Sequence, residues 1–395
     1  MRNLWLTVVQ GLLRVGLRLL SLVFPQSRSV VVSAFPETEG NGLEVARALV
    51  RRYDGEVVWL QDGGSTPAAV HALAEDGMTV VPKASLRGLL HYLRAEAVMF
   101  THGLYGSPRP SSRKPLVNLW HGDGPKDIRP GKEVGALIAS TYVVGSTRLF
   151  SGFKGDAFGV PPERQLVTGN PRTDQLWNPA DRNALTALGI TGDFVVWMPT
   201  FRRTRAIGAV RASSGSPGTG RGGREGLAPL LDGLRARGLQ LVVKPHPMDA
   251  DRRQEDGGTT ISEEDLVRAG LNPYSVLGAS RGLVTDYSSV WVDYLLLDRP
   301  LAFLVPDRSS YNRQLLPSDV LDWVPGEVVD LEDRPFEVFL ADLDASGRAG
   351  AALRAGAATR IGLNTTRTAA DDLVTALAER GVLRTQRDGA TARAR

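Results

Sequence analysis

The sequence has no cysteine and only five histidines in 395 residues. Without cysteine there are no thiol nucleophiles, no disulfides and no cysteine-rich metal sites, so zinc chemistry is not indicated, while compartment stays open. No Walker-type glycine loop and no G-x-S-x-G elbow occurs, which sets aside P-loop NTPases and α/β-hydrolases. Long uncharged apolar runs are scarce as well. The most apolar stretch, Asn3 to Phe24, is interrupted by Arg14 and Arg18, and a charge at the bilayer centre costs roughly 2.5 to 3.5 kcal/mol. No small-x-small cleavage site follows before Pro25, as a signal peptide would require.

Within that stretch Thr7, Gln10, Gly11, Arg14, Arg18 and Ser21 recur every three or four residues and share one helical face. The pattern predicts an amphipathic helix over residues 1–28 lying in the plane of an anionic membrane surface, on the cytoplasmic face as a peripheral protein. A core helix and a true anchor are the alternatives.

A length of 395 residues suits two domains, and 42% hydrophobic with 23% charged residues is ordinary for a folded body. The net charge of +4 fits an anionic partner, with phosphate, phospholipid and nucleic acid all compatible.

After Pro25 short β-branched runs alternate with helical segments. Strands are expected at Ser29–Phe35, Glu56–Leu60, Met78–Val81, Ala97–Thr101, Leu116–Trp120 and Tyr142–Gly145, and again at Phe194–Thr200, Leu239–Pro245, Gly282–Asp286 and Leu301–Pro306. The alternation predicts an α/β fold of two Rossmann-like domains with parallel sheets facing across a cleft, one over residues 29–180 and one over 181–383. Ligands in such sheets bind at the carboxyl ends of the strands. The stretch Arg205 to Gly226, rich in Gly, Ser and Arg, reads as a mobile loop, and the basic tail 384–395 as disordered.

Five motifs follow predicted strands. WHGDGPK (Trp120 to Lys126) offers His121 as a base, Asp123 as an orienting carboxylate and Lys126 as a cation, around two glycines. A structural histidine in a turn is the plain alternative. TGNPRTDQL (Thr168 to Leu176) carries Asn170, Arg172 and Asp174, read either as phosphate contacts or as a boundary turn with an internal ion pair. PTFRR carries Thr200, Arg202 and Arg203, with the guanidiniums suited to gripping a phosphate. VVKPHP places Lys244 and His246 on one side of an extended segment. LVTDYSSVWVD places Thr285, Asp286, Ser288, Ser289 and Asp293 around a helix start, which attracts anions or is simply capped. His71, His91 and His102 read as satisfied or exposed. Asp249 with Asp251, and Asp342 with Asp344, have Asp-x-Asp spacing but end no convincing strand, so no metal and no cofactor is assigned.

In this order, from Leu116 to Pro306, the five motifs resemble the CDP-glycerol glycerophosphotransferase family of teichoic acid and capsular polymer synthesis. The resemblance implies a two-domain GT-B enzyme at the inner membrane surface, with residues 29–180 on the acceptor side and 181–383 binding the donor. It further implies that CDP-glycerol, or another CDP-polyol, donates a polyol phosphate to the hydroxyl of a lipid-linked glycan acceptor, with release of CMP; nucleic acid is not an expected partner. His121 would act as general base and face His246 and Ser288, with His246 on the donor phosphates or leaving group beside Lys244. Asp123 would orient His121 or contact the acceptor. Asn170, Arg172, Asp174, Thr200, Arg202, Thr285, Asp286, Ser288, Ser289 and Asp293 would line the substrates. The chain departs from the family by reading Asp123, Gly124, Pro125, Lys126 after Trp-His-Gly, and its single short N-terminal helix suggests a primase or single-addition enzyme. The competing expectations are a GT-B glycosyltransferase using a nucleotide sugar, and a non-enzymatic sensor of polyanionic polymers.

Overall fold

The computed structural model describes residues 2–64, 66–111, 113–129, 138–200, 203–206, 209–212, 221–245, 258–306, 308, 311, 314–330 and 335–385, with backbone alone at 2–10, 203–206, 209–212 and 221–226. His246, Arg202, the pair Asp249 and Asp251, and the tail beyond residue 385 lie outside the described residues. The chain divides into two compact units, the first comprising residues 1–123, 128–174 and 364–395, the second 124–127 and 175–363.

The first unit is built on seven parallel strands: β1 (Ser29–Ser33), β2 (Glu56–Gln61), β3 (Thr79–Pro82), β4 (Ala97–Phe100), β5 (Leu116–Asn118), β6 (Tyr142–Val144) and β7 (Gln165–Leu166), in the order β3-β2-β1-β4-β5-β6-β7. Alternation along β1 explains the valine run. Val30 and Val32 enter one apolar layer with Trp59 and Leu49, while Val31 enters the opposite layer with Val58 and Leu60. A strand buried on both faces has no polar side to show, hence the unbroken apolar text. The order reverses between β1 and β4, and it is at such a reversal that a ligand crevice opens beyond the strand ends.

The helix Ala369–Glu379 belongs to this first unit, although it was expected in the C-terminal domain. Leu373, Val374 and Leu377 are fully buried in the first layer, and Arg52, on the helix Gly40–Arg52, donates to the Asp371 carbonyl at 2.6 Å and to Thr375 Oγ1 at 2.9 Å. Which sheet it covers is decided by long-range packing.

The N-terminal helix Arg2–Val23 forms as expected, and over residues 11–23 its apolar side is turned outward. Leu17 and Ser21 face the unit, whereas Leu12, Leu13, Leu19 and Val23 are 68%, 50%, 57% and 79% exposed. The anchor is Lys114, whose buried ammonium donates to Ser21 Oγ at 3.1 Å and to the Tyr92 and Leu93 carbonyls at 2.5 and 2.7 Å. Among the described residues, no helix is long and apolar enough to cross a membrane.

The second unit holds six parallel strands, β8 (Phe194–Met198), β11 (Gln240–Val243), β12 (Thr259–Thr260), β13 (Gly282–Thr285), β14 (Leu301–Leu304) and β15 (Glu327–Val329), in the order β12-β11-β8-β13-β14-β15. Val195 and Trp197 pack against Leu227, Leu230 and Leu234 of the helix Arg221–Arg235 and against Phe336 and Phe339. The reversal here lies between β8 and β13. Within the stretch Arg205 to Gly226, expected to be a mobile loop, the described residues take up regular structure: β9 (Arg203–Ala206) and β10 (Ala209–Ala212) pair antiparallel and the helix begins at Arg221, while residues 207–208 and 213–220 lie outside the described residues.

Candidate active site

In the first unit the carboxyl ends of β1, β4 and β5, with the turn after β7, carry the candidate groups. β5 ends at Asn118 and runs into a strained turn in which Trp120 and Gly122 have φ of +51° and +102°. A non-glycine residue in that region is held there by its surroundings. Asn118 Oδ1 accepts from the Trp120 amide at 3.0 Å, Asn41 Nδ2 donates to the Trp120 carbonyl at 3.1 Å, and the indole packs edge-on against Phe158. The turn holds His121 partly exposed at the strand ends.

Gly122 must be glycine for two reasons. Its φ is one that L side chains rarely adopt, and an added Cβ would lie 2.0 Å from Arg172 Nη2. Arg172 is half-buried, donates through Nη1 to the His121 carbonyl at 2.8 Å, and sits 3.9 Å from Glu39. Glu39 in turn caps the helix Gly40–Arg52 by accepting from the Gly42 amide at 3.0 Å. Burial, His102 and Arg172 together lower the His121 pKa to about 3. The ring is therefore held neutral, with a lone pair available.

His102, which the sequence reading set aside, stands beside it. It follows β4, and its Nδ1 lies 3.3 Å from His121 Nε2. Burial first, then Lys83, lowers the His102 pKa, against a smaller opposing effect of Asp62. The signal that could have found it was position: Thr-His-Gly ends a predicted strand of the same sheet.

Other nominated residues of this unit serve the fold. Asp123 is fully buried, and its Oδ2 accepts from the Ser146 and Thr147 amides at 2.8 Å each and from the Thr147 hydroxyl at 3.0 Å. Oδ1 pairs with the buried ammonium of Lys154. A carboxylate enclosed in this way neither orients His121 nor meets an acceptor; it ties the turn after β5 to the turn after β6. Asp174, expected among the substrate contacts, caps the helix Ala369–Glu379 by accepting from the Ala369 and Ala370 amides at 2.6 and 3.0 Å. Burial pushes its pKa up to about 7 against those two bonds. Asn170 is buried, donates to Ser146 Oγ at 3.3 Å and accepts from the Thr173 amide and hydroxyl.

In the second unit Asp286 follows β13 and Thr200 follows β8, on the two sides of the strand-order reversal. Asp286 accepts from the Thr200 amide through both oxygens, at 3.1 and 3.0 Å, from the Thr200 hydroxyl at 2.9 Å and from the Ser288 amide at 3.1 Å. Ser288 and Ser289 are half-buried at the start of the short helix Val290–Tyr294. Gly124 approaches Ser289 so closely that a Cβ on it would fall 2.6 Å from the serine Cβ. Beside it, Leu316 N donates to the Pro125 carbonyl at 2.6 Å and the half-buried Lys126 forms a backbone bridge with Leu315. Lys244 follows β11, where its buried ammonium meets Glu263 at 3.2 Å and the Pro245 carbonyl at 3.3 Å. Thr285 and Asp293, also expected to line the substrates, point into the unit: the Thr285 hydroxyl donates to the Met198 carbonyl at 2.8 Å and Tyr274 donates to Asp293 at 2.6 Å.

Residues 18–350 match the family model described as CDP-Glycerol:Poly(glycerophosphate) glycerophosphotransferase. A teichoic acid glycerol-phosphate transferase of Staphylococcus aureus (strain NCTC 8325 / PS 47) is 25% identical over 321 residues, covering 71% of this chain and 75% of that protein. A teichoic acid glycerol-phosphate primase of Bacillus spizizenii (strain ATCC 23059 / NRRL B-14472 / W23) is 27% identical over 219 residues, covering 50% and 52%. Among solved structures, the wall teichoic acid polymerase TagF aligns over 97% of this chain and 98% of that chain with a TM-score of 0.68 at 16% identity. A variant of TagF soaked with CDPG gives 0.69 at 17% identity over the same shares. At such identities the likeness shows the fold, and the fold is GT-B-like with two parallel sheets. The family match extends over most of the chain, and with it the protein belongs to the CDP-glycerol:poly(glycerophosphate) glycerophosphotransferases and is a phosphotransferase enzyme.

Proposed function

We propose that this enzyme transfers glycerol phosphate from CDP-glycerol to the terminal hydroxyl of a lipid-linked glycan acceptor in teichoic acid or capsular polymer synthesis, releasing CMP. The observation that carries the assignment is His121: a histidine on a strained, glycine-flanked turn at a strand's carboxyl end, held neutral by burial and two flanking groups. A neutral imidazole can take the acceptor's proton as its oxygen attacks phosphorus. Phosphoryl transfer otherwise asks for alignment and charge stabilisation. The reading gives those tasks to Arg172 in the first unit, and to Lys244, Thr200, Ser288 and Ser289 with His246 and Arg202 in the second.

A conjugate-acid pKa of about 3 makes the resting His121 a weak base. The negative charge of a bound CDP-alcohol diphosphate opposes that depression, so substrate binding brings the base toward its task. The outward apolar side of the N-terminal helix supports a peripheral site on the cytoplasmic membrane face, where a lipid-linked acceptor resides.

The test is CMP release by the full-length protein from CDP-glycerol and, separately, CDP-ribitol, with a lipid-linked disaccharide acceptor. Acceptor-dependent CMP that falls by about 10² to 10⁴-fold in His121→Ala supports the reading. Release of a nucleoside diphosphate from a nucleotide sugar, with no CMP from either CDP-alcohol, overturns it.

A further inference from the structure

His102 and His121 follow neighbouring parallel strands, β4 and β5, whose last paired residues are Phe100 and Asn118. Adjacent strands running the same way deliver both rings to one edge. His102 Nδ1 lies 3.3 Å from His121 Nε2, with ring centroids 5.6 Å apart. Two neutral imidazoles in that contact share a single hydrogen, so one ring donates and the other accepts. The charged groups facing the pair are Lys83 with its partner Asp62, 2.8 Å apart, on the side of His102, and Arg172 with Glu39 on the side of His121. The two cations oppose a second positive charge, which keeps the bond in its one-proton form.

We propose that His102 is the positioning residue of the general base: its Nδ1 accepts the Nε2–H of His121, fixing the tautomer in which His121 Nδ1 presents its lone pair to the acceptor hydroxyl. The inference rests on the function proposed above. Were the hydrogen donated the other way, His121 would hold its own proton on Nδ1 and have no lone pair left for substrate. During the step the acceptor O–H bond breaks and the proton goes to His121 Nδ1, while the oxygen's electron pair forms the new O–P bond and CMP leaves with the electrons of the old one. The imidazolium so formed strengthens its Nε2–H bond to His102, which stays neutral.

Two substitutions separate the role from mere packing. His102→Gln retains a side-chain acceptor near Nε2, and His102→Phe retains a ring without one. The tautomer of His121 is read by nitrogen-15 NMR of the imidazoles in the full-length protein without substrate, and CMP release from CDP-glycerol gives kcat and KM. The expected result is an Nε2–H tautomer in wild type and in His102→Gln, lost in His102→Phe. In parallel kcat falls on the order of 10²-fold in the Phe variant, with KM for CDP-glycerol little changed and partial rescue in the Gln variant. An unchanged His121 tautomer in His102→Phe, or equal kcat in all three proteins, overturns the proposal. If the wild type releases no CMP at all, the functional reading falls, while the NMR comparison still decides whether the pair sets the tautomer.

Discussion

Removing the Asp123 carboxylate should cost the first unit stability rather than only activity. In Asp123→Ala the Ser146 and Thr147 amides lose their acceptor, and the Lys154 ammonium, 3% exposed, loses its counter-charge. Breaking a buried pair by deleting one partner costs about 3 to 5 kcal/mol, because the remaining charge stays desolvated. With roughly 2 to 4 °C per kcal/mol for a body of this size, the melting midpoint of the unit drops on the order of 10 °C. Calorimetry of the full-length protein measures it, with Lys154→Met alone and the double variant Asp123→Ala/Lys154→Met completing a cycle. The double variant should be less damaged than the sum of the singles by about 0.5 to 3 kcal/mol, since it removes both charges together. Unchanged melting in Asp123→Ala beside a collapse of CMP release would refute this reasoning and restore the carboxylate to the chemistry.

Three further outcomes follow from the same geometry. Gly122→Ala should lose about 1 to 3 kcal/mol from its positive φ and lower CMP release beyond what the unfolded fraction explains, because the new Cβ, 2.0 Å from Arg172 Nη2, displaces the guanidinium whose Nη1 donates to the His121 carbonyl; activity tracking stability alone would count against that. For His121 the sign is fixed by its lowered pKa: below pH 6.5 the unfolded chain takes up a proton that the folded ring refuses until about pH 3, so stability falls with pH across that window. A His121→Gln protein should therefore show a flatter stability profile between pH 3 and 6.5, and an acid limb of wild-type kcat/KM near 6.5 would contradict the neutral ring. Leu12→Ser with Leu19→Ser, both on the exposed helix face, should weaken binding to anionic vesicles by more than about 10²-fold at roughly 1.5 to 3 kcal/mol per side chain without moving the melting point; equal vesicle binding would remove the membrane role of that face.

The β-branched runs made the parallel sheets legible because a strand covered on both faces has nothing polar to display, as Val30 to Val32 illustrate. Short edge strands such as Gln165–Leu166 and Thr259–Thr260 were not legible, since two residues carry no period. The expected boundary at residue 180 put residues 369–379 with the second domain, whereas the helix Ala369–Glu379 belongs to the first unit. Its partner is the helix Gly40–Arg52, more than three hundred residues away, and only the assembled core names it. His102 was missed for a related reason. A Thr-His-Gly turn looks ordinary until β4 and β5 are known to be neighbours, and then its ring is 3.3 Å from the candidate base.

The carboxylates show why motif spacing alone does not tell a substrate contact from a residue that braces a loop. Asp123, Asp174, Asp286 and Asp293 all lie in the motifs that marked the site, yet each binds the protein's own donors: the turn after β6, the start of a helix, the Thr200 turn and a tyrosine hydroxyl. At the carboxyl end of a parallel sheet the loops leave backbone amides without ladder partners, and an aspartate is the shortest side chain that can bind two or three of them at once. A site that stabilises transferring phosphate by fixed dipoles and cations needs those loops rigid before substrate arrives. The aspartates supply the rigidity, and the chemistry proposed here falls to the groups they leave at the edge: the His121 and His102 imidazoles, Arg172 and the second unit's hydroxyls. Replacing an aspartate of this set should therefore disturb the melting curve first and the rate second, whereas replacing a histidine should do the reverse.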